Sequence, residues 1–175
     1  MGLIEGDERS RPSRGSPSAV GVYLLLAAIA FSPIAVADDA VGADGDFGSI
    51  VLDVYLDAEG RALIVGYLKT DRLEELAFLE GSELEYDEET GEIYALTDGL
   101  TSIRGEETRL DFKAAGPWDE CHLAFYLPKD AAALNFGSSE DLAYSVTEAE
   151  GSMLVEAIGY GVEEAEVTID YRLTA

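Results

Sequence analysis

The chain is short of almost everything that carries covalent or redox chemistry. It holds one cysteine, Cys121, one histidine, His122, and one tryptophan, Trp118, in 175 residues. A lone cysteine allows no disulfide within the chain, so the fold has to stand on its core. A lone histidine with no G-x-S-x-G turn leaves a Ser-His-Asp triad without its usual presentation of the nucleophile. Glutamine is absent and Asn135 is the only asparagine. Scarce amides fit a hot or saline source, and a GC-rich genome produces the same bias. Lys and Arg together number 11 against 36 Asp and Glu, a formal net charge of -25. Phosphate recognition needs clustered cations that release counterions, and no such cluster exists after residue 37, which argues against nucleic acid as a partner. Anionic lipid surfaces are disfavoured for the same reason.

Long apolar runs are equally scarce, and the exception is informative. Residues 19–37 read AVGVYLLLAAIAFSPIAVA after Arg9, Arg11 and Arg14. The uninterrupted part, Ala19 to Phe31, is shorter than the about 20 apolar residues of a membrane span. Pro33 breaks it, and the small-x-small triplet Ala35-Val36-Ala37 follows. A basic approach, a short apolar core and such a triplet form the pattern of a secretory signal, which predicts export and cleavage after Ala37. The expected division is a signal peptide over 1–37, an acidic linker over 38–47 and a β-domain over 48–175. Contact with a membrane is then expected only through the N-terminal segment, where that is retained as an anchor.

All but three of the 36 acids follow residue 37, against eight basic residues. Spread over a surface of about 7,000 Å², the net charges sit about 17 Å apart, beyond a Debye length of about 8 Å in physiological salt. Even repulsion is therefore largely screened, and the acidity favours solubility and divalent cations.

From Ser49 the sequence takes on a period of two. Ile50, Leu52, Val54 and Leu56 fall on one side, with Val51, Asp53, Tyr55 and Asp57 on the other. Asp57-Ala58-Glu59-Gly60 reads as a turn, and Arg61 to Leu68 is apolar on both faces, as a central strand is. Residues 71–79 fit a short helix. A second hairpin runs from Glu83 to Leu96 around Asp87-Glu88-Glu89-Thr90-Gly91. Thr108 to Lys113 and Glu120 to Leu127 alternate again, separated by Gly116-Pro117. Ala131 to Ser139 reads as a small-residue loop, and Leu142 to Thr147, Met153 to Ile158 and Glu166 to Leu173 complete the pattern. About nine strands at this rhythm predict an all-β fold, an antiparallel two-layer sandwich of immunoglobulin-like type. Its expected core includes Leu52, Val54, Ile64, Leu123, Phe125, Val155 and Ile169.

The segments LDAEGRALIVGYLKT, LAFYLPKDAAALNFGSSEDLAYSV and EVTIDYRL resemble the ectodomains of archaeal exported or membrane-anchored proteins of uncharacterised function. In those, a β-sandwich follows a signal peptide, with a "YLP" strand end and a closing "DYRL"-type strand. The resemblance covers most of residues 48–174 and implies a fold and a compartment, with no catalytic signature to carry over.

Candidate chemistry is thin. Cys121 and His122 are neighbours, but successive side chains of a strand point to opposite faces, so they cannot meet. Cys121 shares its face with Leu123, Phe125 and Leu127 and reads as core; His122 reads as outer-face, beside Glu120 and Tyr126. Zinc would have to draw its remaining ligands from carboxylates. Calcium, which takes six to eight oxygens, is the better match, at Asp87, Glu88, Glu89 and Glu92 of the hairpin tip or at Asp38, Asp39, Asp44 and Asp46 of the linker. Neither set follows EF-hand spacing. The plentiful tyrosines read mainly as half-buried strand residues packing the core. The leading expectation is a non-catalytic exported or cell-surface module with no cofactor, binding an envelope or extracellular protein or glycan. The alternative is an exported hydrolase that uses carboxylates or a metal.

Overall fold

In the computed structural model of the chain, residues 48–149 and 152–174 are described. They form nine strands: β1 (Gly48–Leu56), β2 (Ala62–Lys69), β3 (Glu83–Tyr86), β4 (Glu92–Thr97), β5 (Thr101–Arg104), β6 (Glu107–Tyr126), β7 (Ala131–Ser138), β8 (Ala143–Ala149) and β9 (Ser152–Leu173). The protein is thus all-β, as its alternating pattern predicts. The segment expected to be a short helix at 71–79 holds only two 3-10 turns, Leu73–Glu75 and Ala77–Leu79. Leu76, Phe78 and Leu79 are buried there, so packing against the core, not helix propensity, fixes the segment.

Two expectations about the strands need correction. The sheet is mixed, not antiparallel: β1 pairs with β2 antiparallel but with β6 parallel. Both strands bury alternate residues in the same phase, setting Ile50 against Cys121, Leu52 against Leu123 and Val54 against Phe125. Matching apolar phase fixes that register, since a one-residue slip would turn both sets outward. Nor do the strands pair as the two separate sheets of an immunoglobulin-like sandwich. All nine belong to one sheet of order β3-β4-β2-β1-β6-β9-β7, with β5 beside β6 and β8 beside β9.

The continuity comes from β6 and β9, which are 20 and 22 residues long. Each is one strand where the periodicity suggests two. β6 runs through Gly116-Pro117 with a register shift between Ala115 and Trp118. Proline has no N–H to donate, so the ladder is interrupted there. Gly116 lets the two backbones close in, because a Cβ at that position would lie 2.6 Å from the carbonyl oxygens of Val162 and Glu163. Arg72 Nη2 donates to the Gly116 carbonyl at 2.5 Å.

The consequence is a sharp bend. Phe112 and Phe125 are 13 positions apart on β6, about 43 Å in a straight strand at about 3.3 Å per residue. Their ring centroids are 5.6 Å apart, edge to face. β6 therefore doubles back, bringing its first half, with β5 and β7 near, over its second half. Phe78 closes on Phe112 at 4.8 Å, and Phe136 of β7 meets Tyr144 of β8 at 6.2 Å. All seven expected core residues are buried in the resulting interior, together with Trp118, whose Nε1 donates to the Ala114 carbonyl at 3.1 Å. β7 occupies residues expected to be a loop; its small side chains suit the position beside β9 that Phe136 anchors. The short strand β5, which carries no apolar alternation, is set by pairing with β6.

Candidate binding face

The strands that bury one face leave the other open. On β1 the outward residues are Ser49, Val51, Asp53 and Tyr55, and register fixes their neighbours. One row across the sheet reads Glu85, Tyr94, Val65, Asp53, Ala124, Glu156 and Ser145. A second joins Leu96, Leu63, Tyr55, Tyr126 and Leu154, and a third Glu92, Tyr67, Val51, His122 and Ile158. Tyr160 stands opposite Glu120 at the far end and is 74% exposed, while Tyr94 is 51% exposed. Tyr67, Leu96 and Ile158 are also exposed.

Carboxylates and tyrosines are therefore interspersed with apolar residues on this surface. Tyr55 and Tyr126 stack with centroids 4.4 Å apart and planes within 9°. Desolvation raises the Tyr126 hydroxyl to about 12, helped by the neighbouring Asp53 charge and by Tyr55. Tyr55 is raised by the same desolvation and by Asp53. Asp53 itself lies above the usual carboxylate range because burial penalises its charge; His122 pulls it down and Glu156 pushes it up. His122 Nε2 is 3.7 Å from Glu156 Oε1, too far for a hydrogen bond, and that covered nitrogen makes none among the described residues. Beside this centre, a shallow depression between β2, β4 and β3 is lined by Val65, Glu85, Asp87, Glu92 and Tyr94.

Cys121, one residue from His122, faces the other way as its position implies. It is fully buried, and desolvation pushes its thiol up to about 12, which leaves it unreactive at neutral pH.

The candidate calcium ligands divide. Asp87 Oδ1 accepts from the backbone N–H groups of Glu89 at 2.8 Å and Thr90 at 3.1 Å, closing the hairpin turn. The Thr90 and Glu89 N–H groups hold its carboxyl below the usual range. Glu92 lies on the outer face across from Tyr67, and with Asp87 it lines the shallow depression. Among the described residues, no three His, Cys, Asp or Glu side chains, Glu88 and Glu89 included, converge as a metal site. The linker acids Asp38, Asp39, Asp44 and Asp46 and the signal segment lie outside the described residues.

The tyrosines correct a further expectation. Among the described residues only Tyr171 is fully buried, while Tyr55, Tyr67, Tyr94, Tyr126 and Tyr160 belong to the outer face. The signal was in the alternation: each of these is out of phase with the buried residues of its own strand. Compared with protein families, curated proteins and solved structures, the chain has no significant match.

Proposed function

We propose that this chain is a non-catalytic, exported acidic module that acts at the cell surface or in secreted form by binding a protein or glycan of the envelope or exterior. Its folded-over sheet works as a two-layer, sandwich-like scaffold, and its outer face is the binding surface. The observation that carries this reading is the exposure of Tyr67, Tyr94 and Tyr160, in three different rows of strands whose other face is the core. Exposed aromatic residues on a sheet whose other face is packed supply contact area without a folding role, and tyrosine is enriched at recognition surfaces. The nearest approach to a catalytic group is Asp53, His122 and Glu156, which favours the alternative of an exported carboxylate-dependent hydrolase. On an open sheet face that trio has no positioned nucleophile paired with a base.

Two measurements test the reading. Mass spectrometry of the native protein is expected to find Asp38 as the new N-terminus in an exported fraction. Intact residues 1–37 on a cytosolic protein overturn the compartment. Ester, peptide and glycoside panels are expected to show no turnover; turnover lost in His122→Ala at unchanged stability makes the protein an enzyme.

A further inference from the structure

The outer face repeats one local arrangement three times. Glu85 stands directly across from Tyr94, Glu92 across from Tyr67, and Glu120 across from Tyr160. Directly opposed residues on one face bring their Cβ atoms to about 4.5–5.5 Å, so each ring lies beside a carboxylate. A ring face attracts a cation through its quadrupole, and a carboxylate accepts charge-assisted hydrogen bonds from the same group. Asp53 and Glu156 add two half-buried acids at the centre. Of the eight basic residues after position 37, Lys69 falls on this face, across from Ser49, and Arg61 lies at its rim, paired with Asp57.

We propose that this face receives a lysine- and arginine-bearing segment of a partner protein. The inference rests on the reading of the face as a binding surface and adds the chemistry of its occupant. A purely apolar partner would bury Asp53 and Glu156 without counter-charges, which is strongly unfavourable. A second copy would bring like charge against like, each chain carrying a net -25. The tyrosine–glutamate pairs extend from β3 to β9 across β4, β2, β1 and β6, about 24 Å at about 4.8 Å per strand. That spacing suits several cations on an extended chain better than one small cation.

The test titrates the full chain with a short fluorescent peptide of alternating Arg or Lys and Leu. The comparison peptide carries citrulline and acetyl-lysine, which keep the shape and remove the charge. Three double variants are compared at fixed ionic strength after circular dichroism shows each folded: Tyr67→Ser with Tyr94→Ser, Glu85→Gln with Glu92→Gln on the face, and Glu163→Gln with Glu164→Gln off it. Neutralising the peptide is expected to weaken binding about tenfold or more. The tyrosine pair and the on-face glutamine pair should each weaken it about fivefold, and the off-face pair less than about twofold. Equal losses from the two glutamine pairs mean bulk charge attraction and overturn the proposal. A neutral peptide or a neutral oligosaccharide that binds as tightly, with the same dependence on Tyr67 and Tyr94, overturns the cationic occupant but keeps the face as a binding surface. Binding of every probe indifferent to all three variants overturns both.

Discussion

The two faces of β1, β6 and β9 are built from alternate residues of the same strands, yet they differ in kind. Inward stand Ile50, Leu52, Val54, Cys121, Leu123, Phe125, Val155 and Ala157, all closed to solvent. Outward, three residues of the same strands, Asp53, His122 and Glu156, form a polar centre flanked by Tyr55 and Tyr126. The inner face carries the stability, because removing apolar area from water is the dominant favourable contribution to folding. The outer face keeps half-buried acids next to rings, an arrangement that folding does not require. Sequence features that cost stability without serving the core point to a surface kept for something else.

The largest expected effect lies inside. Phe125→Ala removes the ring that meets Phe112 across the bend and should lower unfolding free energy by about 3–5 kcal/mol, as read from urea denaturation. A loss below about 1 kcal/mol would mean that the two halves do not share a core. Cys121→Ser, on the same inner face, places a hydroxyl in an apolar site and should cost about 1–3 kcal/mol; His122→Ala next to it should cost much less. Equal costs would erase the distinction between the faces.

Asp53→Asn should do the opposite and raise the melting temperature at neutral pH. Burial raises its carboxyl above the ordinary value, so the folded state holds that proton more tightly than the unfolded chain. Ionised Asp53 therefore opposes folding above its raised pKa, and stability falls as pH rises through that range. The advantage of the amide should shrink as the pH drops through the raised pKa, where the native carboxyl is already neutral. An advantage independent of pH would mean that packing, not charge, explains it. Tyr94→Ser with Tyr160→Ser should shift stability by no more than about 0.5 kcal/mol per site, because both rings are exposed.

The smallest expected effect concerns calcium at Asp87, Glu88, Glu89 and Glu92. Calcium should stabilise no more than sodium at equal ionic strength, since Asp87 already serves its own turn. Saturable stabilisation that sodium cannot match would establish the site.

Much of this contrast is legible in the sequence. Period-two alternation marks the buried set on β1, β2, β6 and β9, and it separates Cys121 from His122 before any geometry is known. The same alternation places the tyrosines outward, but their strand preference and size read as core material. The parallel contact of β1 with β6 leaves no local signal, because it depends on matching phase between segments about 70 positions apart. The continuity of β6 is hidden for a related reason: Gly116-Pro117 reads as a break, whereas the pairing with β9 carries the strand through it. β5 and β7 have little apolar pattern and owe their form to neighbours. The Asp53–His122–Glu156 centre is assembled by register alone from three strands.

The central position of β1 has a consequence for the order of events during synthesis. β1 is the first strand of the described chain, and it can form a hairpin with β2 as soon as residue 69 is available. Its other edge stays vacant until residues 118–126 exist, and β6 in turn awaits β9, which ends at Leu173. Closing such long loops delays the contacts that reward it, so folding of this topology is slow compared with a helical chain of equal length. Until then the β1–β2 hairpin presents Ile50, Leu52, Val54 and Ile64 uncovered, beside an unpaired strand edge that other chains can add to.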